Sequence, residues 1–368
     1  MRLLMTTDTI GGVWTFTSDL GEELLSRGHA VALISFGRLP SDDQSDWVAV
    51  QRSAYPGSFE FTASKAPLEW SQENSGSMTE GEPALTGLCA RFQPDILLSS
   101  QFCFGAVDIN VPRVVVAHSD VLSWARACKL SALAPTPWLT QYKRLVGDGL
   151  RDADAITAPT KSALDDLLMN FEQPQQGTVI PNGRRIAPSH HPSTRKQQAV
   201  SAGRLWDEAK GLDLLRTCEL PLPIFVAGET QFDDGAELPE MPKNVHLLGP
   251  LAPDKLHDLF RESAIYLCTS RYEPFGLAPL EAALCGCAIV ARDLPSLHEV
   301  WGEAALYFHD ASGLIEQVSR LTKDESLCAV MRERAHHRAE SYTVSRMAEN
   351  YLELFKTLLA KGKGAHDA

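Results

Sequence analysis

Along this chain, short apolar runs bounded by Gly, Pro, Asp or Asn alternate with longer stretches whose apolar positions recur at helical spacing. The runs are continuous rather than alternating apolar and polar, the signature of strands covered on both faces of a parallel sheet. The series opens with a strand over Arg2–Thr6, a Gly-Gly turn, a helix over Thr15–Arg27 and a strand over Ala30–Phe36, which is a βαβ unit. Further strands are expected at Ile96–Ser99, Arg113–Ala117, Ala155–Ala158 and Thr178–Pro181. The polar, Gly/Ser/Glu-rich segment Ala66–Pro83 reads as a mobile surface loop. After Pro181-Asn182-Gly183, the stretch Arg184–Gln198 has almost no apolar residues and reads as an interdomain linker. The alternation then restarts, with strands expected at Ala199–Ala202, Leu222–Ala227, Val245–Leu248, Ala264–Thr269, Ala288–Ala291 and Ala305–Tyr307. A last amphipathic stretch, Val344–Leu359, has no strand after it and must find a groove on something already folded. The pattern predicts an α/β protein of two doubly wound, Rossmann-like halves.

Composition narrows the function classes. The 368 residues exceed what one hydrophobic core usually organises, so two domains are expected. With 44% hydrophobic and 22% charged residues, the chain is an ordinary globular one and not a disordered or coiled-coil chain. The net charge of −13 is shared evenly by the two halves, which argues against a nucleic-acid partner. Eight scattered cysteines form no Cys-x-x-Cys pair and no His stands at zinc-ligand spacing, so reduced, buried thiols and no metal site are expected. The amino terminus is too short in apolar residues for a signal peptide, and no stretch approaches a membrane span. A cytoplasmic protein, in contact with a membrane at most peripherally, follows from this reading.

Four places carry chemistry. Gly11 and Gly12 form the first strand-to-helix turn, where glycines let backbone N–H groups and the helix dipole approach an anion, although a tight corner alone needs the same residues. Gly203, Arg204 and Lys210 open the second half at a strand's carboxyl end. Arg204 as a bidentate fork and Lys210 as a point charge can clamp a diphosphate, unless both simply pair with Asp207 and Glu208. In Arg271–Gly286, a strand leads through Glu273-Pro274-Phe275-Gly276 into a helix starting near Leu277 and carrying Glu281. Carboxylates in these two places can accept hydrogen bonds from the hydroxyls of a sugar and a ribose; taken singly, such glutamates more often serve as a turn acid and a helix-dipole partner. Finally, His118 stands at the carboxyl end of a first-half strand, the end at which open α/β sheets bind ligands.

Taken together, Gly11-Gly12, Pro181-Asn182-Gly183, Gly203-Arg204 with Lys210-Gly211, and Glu273 separated from Glu281 by seven residues with Pro-Phe-Gly after the first resemble the family-4 retaining glycosyltransferases of the GT-B fold. The match spans about residues 1–310, and the terminal helix resembles that family's crossover helix. The resemblance implies an acceptor domain over 1–186, with residues 344–368 packing back on it, and a nucleotide-sugar donor domain over 187–343, the two facing a cleft. It implies transfer of a sugar from a nucleotide-diphosphate donor with retention, without a metal and with no cofactor beyond that co-substrate. Arg204 and Lys210 would neutralise the leaving diphosphate; the backbone of Phe275, Gly276 and Leu277 would meet the diphosphate or sugar; Glu273 would hold sugar hydroxyls and Glu281 the ribose. Gly12 would approach the diphosphate from across the cleft, and His118 would hydrogen-bond the sugar without acting as a base. Loops such as Gly228–Thr230 and Gly249–Leu251 would hold the nucleobase. The Asp152-Ala153-Asp154 triplet leads into a strand and so belongs at the sheet end away from the cleft, a poor place for a metal.

The acceptor is less legible. Between Asp120 and Asp148 lie Arg126, Lys129, Lys143 and Arg144 with no acid, together with Trp124 and Trp138, a combination suited to an anionic acceptor or a lipid surface, or to a solvated helix face over buried tryptophans. Trp14, Asp120, Trp124 and Arg126 are the acceptor-side candidates, for a sugar, glycoside, small-molecule or lipid-linked acceptor. A sugar-nucleotide 2-epimerase on the same fold and a non-catalytic sugar-nucleotide-binding partner are the alternatives; the Glu273–Glu281 spacing favours transfer over the first, and intact Arg204, Lys210 and Glu273 over the second.

Overall fold

A computed structural model describes residues 1–128, 133–172, 177–186, 195–229 and 240–366. They fall into two compact units, with the boundary between Gly183 and Arg184. The expected Rossmann-like architecture is present in each.

The first unit contains β1 (Arg2–Asp8), α1 (Gly12–Ser26), β2 (Ala30–Phe36), α2 (Asp42–Ala54), β3 (Phe59–Ala63), α3 (Gly76–Phe92), β4 (Ile96–Ser99), β5 (Arg113–Val116), α4 (Val121–Ala127), α5 (Pro137–Asp152), β6 (Ala155–Ala158), α6 (Lys161–Asn170) and β7 (Thr178–Val179). Its parallel sheet runs β3-β2-β1-β4-β5-β6-β7, so the strand order reverses between β1 and β4. Each central strand feeds two cores. Leu3, Met5, Val31 and Leu33 point to one face, Leu4, Ala32 and Ile34 to the other, which is why the sequence shows unbroken apolar runs.

The second unit contains β8 (Lys196–Ala202), α7 (Asp213–Thr217), β9 (Ile224–Ala227), β10 (Val245–Gly249), α8 (Pro253–Glu262), β11 (Ser263–Cys268), α9 (Leu277–Leu284), β12 (Ala288–Arg292), α10 (Pro295–Trp301), β13 (Ala305–Phe308), α11 (Ala311–Lys323) and α12 (Glu325–Ala339), with parallel strand order β10-β9-β8-β11-β12-β13. The switch lies between β8 and β11, whose carboxyl ends carry Gly203-Arg204 and Thr269-Ser270.

The chain then returns to the first unit as α13 (Val344–His366). Its stripe of Val344, Met347, Ala348, Tyr351, Leu352 and Phe355 lies in the same core as Phe16, Leu20 and Leu24 of α1. The Tyr351 hydroxyl is 3.2 Å from Thr157 Oγ1, and Arg27 donates to Ser345 Oγ at 2.7 Å.

Two sequence expectations are corrected. Ala66–Pro83 is not a loop on the surface: Ala66, Leu68, Glu69 and Asn74 are buried, and α3 begins at Gly76 and runs through Pro83. Its polar groups have internal partners. Glu69 Oε1 accepts the Phe102 N–H at 2.8 Å, Asn74 Nδ2 donates to the Glu69 carbonyl at 3.0 Å, and the Trp138 indole donates to the Ser71 carbonyl at 2.6 Å. The supposed linker is built in at both described ends. Arg184 is ion-paired to Glu281, while Gln198 is buried in β8 and donates to Ser263 Oγ at 3.0 Å; residues 187–194 lie outside the described residues. The helix α2 and edge strand β3 also went unread, because β3 has only one buried position and α2 only two.

Candidate functional site

In the second unit the loops after β8, β9, β10 and β11 interlock through their backbones. Gly203 N–H donates to the Ala227 carbonyl (3.0 Å), Leu205 N–H to Glu229 (2.8 Å) and Gly228 N–H to Gly249 (2.8 Å). Gly228, at φ +143°, is required here, since a Cβ would lie 1.7 Å from the Gly203 carbonyl oxygen. The two loops expected to hold a nucleobase are therefore in direct contact at Gly228 and Gly249; Thr230 lies outside the described residues.

The short turn Glu208–Lys210 brings Lys210 to the end of β11. The Thr269 hydroxyl donates to the Lys210 carbonyl at 2.7 Å and the Arg271 N–H to Ala209 at 2.6 Å. Lys210 Nζ stands 2.7 Å from Glu273 Oε2, which also accepts from the Ser270 hydroxyl at 2.8 Å. The Ser296 hydroxyl holds the Glu273 carbonyl at 2.6 Å. Arg204 pairs with Asp207, NH2 to Oδ2 at 2.7 Å, and lies over the Trp206 ring at 5.3 Å. A small cavity between the ends of β8 and β11 is lined by Ser201, Gly203, Lys210, Tyr266, Cys268 and Ser270. Burial pushes the Cys268 thiol up to about 12, so it is no nucleophile.

Gly276, in the left-handed region at φ +93°, turns the chain into α9, whose amino terminus has no side-chain cap. Phe275 is buried and packs edge-on against Tyr342 at 5.4 Å, which leaves only its backbone as a possible contact. Leu277 is the first helical residue. Glu281, 8% exposed, points into the unit: Oε1 is 2.8 Å from Arg184 Nε and Oε2 is 3.3 Å from His257 Nε2. Burial by itself would raise its carboxyl, but the Arg184 guanidinium and His257 outweigh that and hold it below its ordinary value. Arg184 and His257 escaped sequence reading, since a lone Arg after a turn and a lone His in a helix carry no local signal of their partner.

In the first unit, Gly11 takes φ +66° at the start of α1, with Gly12 exposed and no side-chain cap. His118 follows β5, its Nε2 3.1 Å from Ser100 Oγ and its ring edge-on to Phe16 at 4.7 Å. Desolvation lowers it to about 4, so the imidazole is neutral at physiological pH. The acceptor-side candidates are mostly engaged inside the unit. Trp14 is a core residue, edge-on to Trp47 at 5.7 Å and Phe61 at 6.3 Å, which overturns its place on a substrate surface. Asp120 is 4% exposed and caps α4, Oδ1 accepting from the N–H groups of Leu122 and Ser123 at 3.0 Å. Arg126 is held by Asn170 Oδ1 (2.8 Å) and Asp166 (2.9 Å) on α6. Trp124 is half-buried, Lys143 and Arg144 are exposed on α5, and Lys129 lies outside the described residues. In the Asp152–Asp154 triplet, Asp154 accepts from the Arg113 N–H at 2.8 Å at the amino ends of β5 and β6. Among the described residues no helix is long and apolar enough to cross a membrane.

Residues 185–338 match the family "Glycosyl transferases group 1" and residues 10–187 match "Glycosyltransferase Family 4". The alpha-monoglucosyldiacylglycerol synthase of Streptococcus pneumoniae is 23% identical over 88% of this chain and 79% of its own length. Among solved structures, sucrose-phosphate synthase from Thermosynechococcus elongatus has a TM-score of 0.77 at 17% identity, covering 98% of this chain and 100% of that one. Anabaena HepE in complex with UDP and glucose has a TM-score of 0.74 at 17% identity over 97% of this chain and 100% of that one.

Proposed function

We propose, for a chain that belongs to the family-4 glycosyltransferases of the GT-B fold, that it transfers a sugar from a nucleotide-diphosphate donor to a hydroxyl-bearing acceptor with retention of anomeric configuration and without a metal. The observation that carries this reading is the meeting of Lys210 and Glu273 at 2.7 Å beside the uncapped start of α9, with Arg204 opening the same loop. A cation, a hydroxyl-accepting carboxylate and free helical N–H groups are what a sugar diphosphate requires.

In this reading the anomeric C–O bond to the diphosphate breaks as the acceptor oxygen bonds the same carbon. The departing phosphate oxygen takes the acceptor's proton. Arg204 and Lys210 neutralise the charge that develops on the leaving group, the task a divalent ion performs elsewhere. Glu273 orients the sugar hydroxyls. Glu281 supports the ribose through whatever capacity its pairing with Arg184 and His257 leaves. His118 acts as a neutral hydrogen-bonding group and not as a base. The acceptor is a sugar, glycoside, small molecule or lipid-linked molecule.

A thermal-shift panel of UDP, GDP, ADP and TDP with their common sugars, with and without EDTA, tests the donor site, because a ligand of the native state raises the transition by mass action. Stabilisation by one nucleotide series, unchanged by EDTA, is expected and names the base. No shift with any nucleotide overturns the assignment. Proton NMR of the product's anomeric coupling then checks retention.

A further inference from the structure

We infer that Asp207 is a positioning residue for the leaving-group site, a single buried carboxylate that holds the Arg204 guanidinium and caps the turn that carries Lys210. The inference rests on the assignment of Arg204 and Lys210 to the donor diphosphate.

Asp207 has a side chain only 4% exposed, although the loop around it carries charged groups that face solvent. Its two oxygens do different things. Oδ2 holds the Arg204 guanidinium at 2.7 Å, and Oδ1 accepts the Ala209 N–H at 2.9 Å, capping the turn that delivers Lys210. The backbone closes around it as well, with Asp207 N–H donating to the Arg204 carbonyl at 3.1 Å and Lys210 N–H to the Asp207 carbonyl at 2.9 Å. Residues 204–210 are thus folded about one carboxylate. Gly211, in the left-handed region at φ +62°, then lets the chain leave the turn. A Cβ at Gly211 would come within 2.4 Å of the Thr269 carbonyl, so the turn is seated against the end of β11.

Arg and Lys are flexible side chains that lose rotamer freedom on gripping an anion, so holding them before the ligand arrives strengthens binding and aligns the charge with the leaving group. A carboxylate whose only effect was to neutralise Arg204 would do the opposite, competing with the phosphate oxygens. The two roles differ in sign. Asn offers one acceptor oxygen where Asp offers two, so Asp207→Asn can keep the Arg204 contact or the turn cap, but not both.

The test uses the full-length protein and isothermal titration with UDP, GDP, ADP and TDP, then with the nucleoside of whichever diphosphate binds. Asp207→Asn is expected to weaken the diphosphate about tenfold, lower kcat/KM in parallel and leave the nucleoside within about twofold, a range typical of residues in one hydrogen-bonded network. In an R204M/K210M background, with no cation left to orient, D207N is expected to change diphosphate affinity by less than about twofold. Equal or tighter diphosphate binding by D207N overturns the inference, as does a parallel loss of nucleoside affinity or a full effect in the cation-free background. If the parent protein binds none of the four diphosphates, it is the donor-site reading that fails, before any variant is compared.

Discussion

Lys210 Nζ and Glu273 Oε2 lie 2.7 Å apart, with the Ser270 hydroxyl on the same carboxylate oxygen. The pair is partly buried, with side-chain exposures of 24% and 13%, so an ammonium that would otherwise wander is fixed at the end of β11. An arriving diphosphate can take the ammonium, leaving Glu273 for the hydroxyls of the sugar. Lys210→Ala and Glu273→Gln are each expected to lower kcat/KM by about 10²–10³-fold, within the range for removing one preorganised stabilising group. Neither should lower Tm by more than a few degrees, and steady-state kinetics beside thermal melts will show whether activity and folding separate.

Glu281, Arg184 and His257 form a second charged cluster that sequence spacing could not supply. Arg184→Met leaves the Glu281 carboxylate buried with only His257, and should destabilise the second unit by about 3 kcal/mol, read by urea denaturation at pH 7. The sign with pH is set by the lowered carboxyl. Its contribution is present above the unfolded value near 4.5 and fades as pH falls below that, so parent and variant should converge in stability under acid.

Glu69 titrates the other way. Burial raises its carboxyl from 4.5 to about 7, so the folded protein keeps a proton that the unfolded chain has lost. That stabilising share is complete below about pH 4.5 and disappears as pH rises through 7. Glu69→Gln, a neutral mimic, should melt like the parent at pH 4.5 and roughly 2–4 °C higher at pH 8. Melts across that range check it.

His118, held neutral down to about pH 4 by desolvation, contributes stability that is complete above its unfolded value of 6.5 and lost as pH falls toward 4. A rate profile should therefore show no His118 ionisation between pH 5.5 and 8. His118→Asn is expected to lower turnover while leaving the shape of that profile intact; a missing limb would restore the histidine as an acid or base.

Gly228→Ala places a methyl group 1.7 Å from the Gly203 carbonyl, so the loops after β8 and β9 must part. Loss of nucleotide binding with only a modest fall in Tm is expected, measured by titration with the diphosphate that the panel identifies.

Most strands and helices were legible because they depend on periodicity within a few residues. Val31, Leu33 and their neighbours advertise a strand buried on both faces, and Val344 to Phe355 advertise a stripe, whatever lies elsewhere in the chain. The glycine turns, Arg204, Lys210 and the Glu273–Glu281 segment are legible as strand-end loops for the same reason. The segment around Glu69 and Asn74 misled, since polarity is local but its satisfaction is not; the partners are Phe102 and Trp138. Trp14 could equally have faced a ligand or the core, and only the seating of Trp47 and Phe61 against it chose the core.

Sequence alone therefore determined the two parallel-sheet halves, the returning helix and the residue types at the strand ends, because each is written in neighbours a turn or a strand apart. Tertiary structure decided which distant charges meet: Lys210 with Glu273, and Arg184 with Glu281. A carboxylate's partner is chosen by distance in space and by the water excluded around it. Lys210 and Glu273, 63 positions apart, become neighbours only after the sheet has formed.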